Sequence, residues 1–180
     1  MNTKPYYFFL LPVIFLLSSC SDEVVNEAKI EYTSSVEKLV EHTKEFIPTV
    51  YSYDNGIHVA VGFGIANSIM VEGDGGNIII DAADSVYEAK KIYSYFKEIN
   101  SNPIKAVIYT HNHGDHTFGA AYYYNLSDDK PKIIAHETTA YYMERILGIL
   151  NPIISIRSSR MFGTFLPEEE LINVGIGPFL

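Results

Sequence analysis

The chain has 180 residues, 47% hydrophobic and 19% charged, with a formal net charge of −9. This composition can bury a core, excludes wholesale disorder and fits one domain. An acidic chain with no Lys/Arg cluster does not suit nucleic acid, so no nucleic-acid partner is expected.

The N-terminus has the form of a targeting signal. A basic start, Met1 to Lys4, precedes an apolar run from Tyr6 to Leu17 broken by Pro12. That run is too short to span a bilayer as a helix, which takes about 20 residues. It has the charged-then-apolar pattern of a secretory signal peptide. Leu17-Ser18-Ser19-Cys20 follows and resembles a bacterial lipoprotein box, in which cleavage precedes the cysteine and the cysteine is lipidated. Residues 1–19 are therefore expected to be a lipoprotein signal peptide and Cys20 the lipidation site. An ordinary signal peptide with an incidental cysteine is the alternative. The lipid would anchor the protein to a membrane of the bacterial cell envelope, on its periplasmic or cell-surface side. Cys20 is the only cysteine, so no disulfide forms within the chain.

Residues 20–50 read as a polar spacer and a helix. Val36, Leu39, Val40 and Phe46 recur at near-helical spacing, and Pro48 closes the run. The turn Asn55-Gly56 opens a β-rich stretch in which Ile57–Val61, Ser68–Glu72 and Asn77–Asp81 are predicted strands. The last two flank Gly73-Asp74-Gly75-Gly76 and form a hairpin. Ser85 and Glu88 make a capping box for a helix with an apolar stripe of Val86, Ala89, Tyr93 and Phe96. Ile104–Thr110 is a nearly continuous apolar strand, Lys132–Ala135 a further strand, and Thr138–Leu150 a helix stopped by Pro152. The order predicts a layered α/β fold over residues 51–180.

The strand Ile104–Thr110 runs straight into His111-Asn112-His113-Gly114-Asp115-His116. In extended backbone, residues i and i+2 share a side, so His111 and His113 can face one ion. Gly114 lets the chain turn, and Asp115 and His116 then project toward a second position. Imidazole and carboxylate are the donors zinc takes in the absence of thiolate. Two ions about 3.5–4 Å apart can share and activate a bridging hydroxide. The end of a buried strand is also where such folds gather ligands. Three of the six histidines fall in this segment. His42 reads as solvated, His58 as a packing or hydrogen-bonding residue, and His136 as a lesser metal-ligand candidate. Tyr122-Tyr123-Tyr124 reads as aromatic packing rather than a channel wall.

H-x-H-x-D-H at a strand end resembles the signature of the metallo-β-lactamase superfamily, and Asp81 matches its earlier structural aspartate. Within it, Asn67–Asp81, Ala106–His111, Arg157–Phe162, Leu166-Pro167 and Gly175–Pro178 are similar to alkyl sulfatases. The resemblance implies the N-terminal half of an αββα sandwich and cleavage of alkyl sulfate esters by a metal-activated hydroxide. It implies two zinc ions, one on His111 and His113 and one on Asp115 and His116. Asp115 would also orient the nucleophile, and Asp81 would support the metal loop. A small-molecule ester is the implied substrate, and a full-length form is compatible with a homodimer. β-Lactam, lactone and thioester substrates are the alternatives, as is a catalytically inert lipid-anchored fragment. Thr117-Phe118-Gly119-Ala120 departs from the family, which often has two glycines here. No histidine follows His136, and Glu168-Glu169-Glu170 reads as a solvated run, so each metal has two donors from the motif. The domain is therefore expected to be truncated at its C-terminus, as the N-terminal part of a longer enzyme.

Overall fold

The computed structural model describes residues 35–167 and 170–178. The signal segment, Cys20, and Glu168 and Glu169 lie outside them. Among the described residues no helix is long and apolar enough to cross a membrane.

Six strands form one mixed sheet in the order β1-β2-β3-β4-β5-β6. They are β1 (Thr49–Tyr53), β2 (Ile57–Val61), β3 (Ser68–Val71), β4 (Asn77–Ile80), β5 (Ile104–Ile108) and β6 (Lys132–Ile134). The first four pair antiparallel, and β4-β5 and β5-β6 pair parallel. The parallel pairs need crossovers, and helix α2 (Val86–Ile99) makes the first of them. The layered α/β expectation holds. Strands β2 to β6 fall where alternation and apolar runs place them.

Side chains alternate across this sheet. Ala60, Met70, Ile79 and Val107 join Ala89, Ile92 and Phe96 of α2 and Tyr123 in one buried core. Tyr123 belongs to α4 (Ala120–Tyr124), so the tyrosine run contributes packing. On the opposite face Val59, Ile69, Ile80, Ile108 and Ile134 stand in register across five strands.

Four local expectations are corrected. The helix expected before Pro48 is present as α1 (Ser35–Thr43) with a 3-10 turn, but residues 49 and 50, expected in the spacer, begin an edge strand, β1. The buried stripe of α2 is Ala89, Ile92 and Phe96, whereas Val86 is exposed. Ser85 caps α2 by accepting from the N–H groups of Tyr87 and Glu88, but Glu88 contacts the Ser85 hydroxyl rather than its backbone. Pro152 opens a helix instead of stopping one. α5 (Thr139–Glu144) passes through a π-helical turn into α6 (Asn151–Phe162), with proline in the first turn.

His58 is a buried hydrogen-bonding residue: Ser52 Oγ lies 2.8 Å from its Nδ1 and Glu72 Oε1 lies 3.0 Å from its Nε2, which ties β1, β2 and the end of β3.

Candidate metal centre

The site starts from the backbone that ends β4. Asp81 and Ala83 both have positive φ, 60° and 73°. Aspartate tolerates that conformation, but alanine there stores about 1–3 kcal/mol of strain. The segment is held by partners from the metal-loop region. Asp81 N–H donates to Ile108 O at 2.9 Å, Ala82 N–H to His116 O at 2.8 Å, and Gly119 N–H to Ala83 O at 3.0 Å.

Gly119 is required by this close approach. A Cβ there would overlap the Ala82 carbonyl oxygen and lie 2.8 Å from Ala89 Cβ. Gly119→Ala is expected to destabilise the fold by about 1–3 kcal/mol or more through overpacking. Urea denaturation read by circular dichroism measures this.

Asp81 organises the motif. Its side chain is 8% exposed. Oδ1 accepts from Thr110 N–H at 2.8 Å, and Oδ2 accepts from the Thr110 hydroxyl at 2.7 Å. Oδ2 also accepts from His116 Nδ1 at 2.7 Å. A carboxylate is only an acceptor, so the proton sits on Nδ1 and Nε2 is left as the free donor atom toward an ion.

The chain leaves β5 in a bend, not as the extended segment expected from the His111/His113 spacing, and turns into a short helix, α3 (Gly114–Thr117). The imidazoles still gather. The ring of His111 lies 4.7 Å from that of His113 and 3.9 Å from that of His116, centre to centre. Asp115 Oδ2 lies 3.3 Å from His116 Nε2. Two ligands on one tetrahedral zinc, each about 2.0–2.1 Å from it, are separated by about 3.3 Å. Partial desolvation, followed by the neighbouring imidazoles of His116 and His113, holds His111 below the ordinary imidazole range. That favours the neutral form that binds metal.

The donors fit zinc in kind and, for the Asp115–His116 pair, in spacing. They fall short in number. Among the described residues, no three His, Cys, Asp or Glu side chains converge closely enough to hold an ion. His136 does not join the motif's ring cluster; its Nδ1 lies 2.9 Å from Thr138 Oγ1 in an exposed position. His42 lies 3.7 Å from Glu45.

One acidic residue was missed by the motif. Asp84 is half-buried beside His113 and Asp115 in an apolar cleft of about 560 Å³. Its three-residue distance from Asp81 was the available signal. Burial first, and the charge of Asp115 among lesser causes, pushes its pKa up to about 6 against an opposing hydrogen bond from Ile65 N–H. A raised carboxyl pKa means the folded state binds the proton more tightly than the unfolded one. The stabilisation is full below the unfolded value near 4 and is lost as pH rises through about 6. Asp84→Asn is therefore expected to gain stability over the wild type as pH goes from 4 to 7 in metal-free protein. Urea midpoints at the two pH values test this.

The cleft is walled by Ile65, Phe118, Ile146, Ile154, Phe162 and Ile176. These come from the β2–β3 loop, the end of the metal loop, the π-helical turn, α6 and the C-terminal segment.

The model of the Metallo-beta-lactamase superfamily matches residues 61–176, from the end of β2 through the metal loop to the last wall of the cleft. The chain belongs to the metallo-beta-lactamase superfamily. Among curated relatives, a linear primary-alkylsulfatase of a Pseudomonas species is 33% identical over 114 residues, covering 61% of this chain and 22% of that protein. The alpha subunit of a Nocardioides 2,4-dinitroanisole O-demethylase is 36% identical over 87 residues, covering 46% of this chain and 24% of the relative. This superfamily member thus spans about a fifth to a quarter of the length of these relatives. In fold it is similar to the stereoselective inverting sec-alkylsulfatase Pisa1 from Pseudomonas sp. The TM-score is 0.67 at 22% identity, over 78% of this chain and 23% of that one. A double mutant of the sec-alkyl sulfatase PisA1 gives a TM-score of 0.64 at 23% identity, over 76% and 22%.

Proposed function

We propose that this superfamily member is the metal-binding part of a zinc-dependent hydrolase that cleaves sulfate esters of alkyl chains. The observation that carries the reading is that His113 and Asp115 of the motif line an apolar cleft of about 560 Å³. Such a cleft accepts a hydrocarbon chain and leaves its polar head at the His113 end of the motif. The alkylsulfatase relatives support the same substrate class.

His111 and His113 would hold one zinc, and Asp115 and His116 a second, with further donors from outside the described residues. When bound there, zinc would supply a Lewis acid and a water nucleophile at neutral pH. Asp81 fixes the His116 tautomer through its Nδ1 proton. Asp115 accepts a hydrogen bond from the attacking water and sets its direction. Ile65, Phe118 and Phe162 exclude bulk water and orient the chain.

The test is to measure zinc in the purified full-length protein and to assay alkyl sulfates beside phosphate ester, lactone, thioester and β-lactam substrates. Zinc-dependent turnover of alkyl sulfates is expected. Turnover of another class alone replaces the substrate. Absence of metal and of all turnover would overturn the metallohydrolase reading in favour of a catalytically inert protein.

Lipid attachment at Cys20 is a proposal from sequence alone, and with it a place on the bacterial envelope. Expressed in a bacterium with labelled palmitate, the wild type is expected to take up label and partition with membranes. Cys20→Ala is expected to lose both. Equal labelling of the two would overturn the assignment.

A further inference from the structure

The loop at 62–67 between β2 and β3 carries Ile65, one wall of the apolar cleft. Its backbone is tied to a residue that follows Asp81 by three positions. Ile65 N–H donates to Asp84 Oδ2 at 3.1 Å. The same oxygen fills the space beside Gly64, where a Cβ would overlap it. Asp84 is itself held between two fixed points. On one side is the positive-φ turn of Asp81 and Ala83, bonded to the metal loop. On the other is Ser85, the N-cap of α2. The carboxylate also lines the cleft, beside His113 and Asp115. The loop thus takes its position from the rigid turn that carries the metal loop, and Asp84 is the connection.

We propose that Asp84 is a positioning residue that pins Ile65 as a wall of the cleft and thereby lets the site discriminate apolar chains by length. It acts through a hydrogen bond to backbone and not through contact with the reacting atoms. The inference rests on reading the cleft as the site of a hydrocarbon chain. Each methylene buried against a fixed wall raises affinity by about fourfold, whereas a wall that moves away leaves the methylene in water.

Two measurements on the full chain test it. The first is hydrogen exchange of the peptide covering 62–67. Asp84→Ala is expected to speed exchange there by tenfold or more. Asp84→Asn retains an acceptor oxygen and is expected to stay within about threefold of wild type. Gly64→Ala, which displaces the carboxylate from the other side, is expected to reproduce Asp84→Ala. Unchanged exchange in Asp84→Ala overturns the proposal, and so does equal acceleration in Asp84→Asn, which would make the charge and not the hydrogen bond the cause.

The second is calorimetric binding of hexane-, octane- and decane-1-sulfonate, which cannot be hydrolysed, below their micellar range. Wild type is expected to gain affinity with each methylene. Asp84→Ala should lose at least half of that increment on a logarithmic scale, with hexanesulfonate binding within about threefold of wild type, and Asp84→Asn should restore it. An increment in Asp84→Ala equal to that of wild type overturns the proposal. If wild type shows no chain-length dependence while exchange responds as expected, Asp84 still pins Ile65. The alkyl reading of the cleft then fails, and with it the part of the proposal concerning chain length.

Discussion

Replacing His111 and His113 together by alanine is expected to remove metal and to lower hydrolytic turnover by about a thousandfold or more. Metal assistance is worth several kcal/mol in the transition state, and each 1.36 kcal/mol is about tenfold in rate. The two rings lie 4.7 Å apart, the His111 ring lies 3.9 Å from that of His116, and the pair contributes half of the motif's candidate donors. Both side chains are exposed, and their loss should leave folding nearly unchanged. Bound zinc by elemental analysis, turnover, and the thermal midpoint of metal-free protein separate the outcomes. Retained metal with lost turnover would move the pair from ligand to substrate contact. Retained turnover without metal would end the metallohydrolase reading.

Asp81→Ala is expected to damage both the fold and the site, costing about 3–5 kcal/mol of stability. One buried carboxylate accepts from Thr110 N–H, the Thr110 hydroxyl and His116 Nδ1. Its removal strands these donors, and alanine must also adopt a φ of 60°. Asp81→Asn separates the two effects. Asparagine tolerates positive φ and keeps an acceptor for Thr110 N–H. It presents an amide to His116 in place of a carboxylate, weakening control of the tautomer. Asp81→Asn should therefore fold with a smaller loss and bind zinc about 10–100-fold more weakly. Competition with a chelator of known affinity measures the second quantity, and urea denaturation the first. Equal zinc affinity in Asp81→Asn and wild type would confine Asp81 to a structural role.

Much of the fold could be read from local pattern. β2 to β5 alternate or run apolar within a few residues, and each is bounded by glycine, asparagine or proline. β1 was hidden because an edge strand half in water carries no alternation, and Pro48 obscured its start. In α2 the expected stripe holds at Ala89, Tyr93 and Phe96, but Ile92 takes the core place that the pattern gives to Val86. Both patterns are helical, and only the burial of Ile92 in the core distinguishes them. Pro152 was read as a stop because proline is hostile to a helix interior, yet it suits a first turn, and sequence alone does not say which turn it occupies.

The same division holds at the site. The sequence by itself offered the candidate donor set, because His111, His113, Asp115 and His116 fall within six positions and their chemistry needs no fold to be recognised. It also pointed to Asp81 through family resemblance. Only the tertiary structure decided what Asp81 does, since its bond to His116 joins residues 35 positions apart. Likewise, only the fold showed that Asp84 and walls from five separate segments form an apolar cleft beside those donors. The physical reason is range. Metal donors can be encoded in one turn of chain, whereas a cleft and the hydrogen bonds that orient a ligand exist only where strands and helices bring distant residues together.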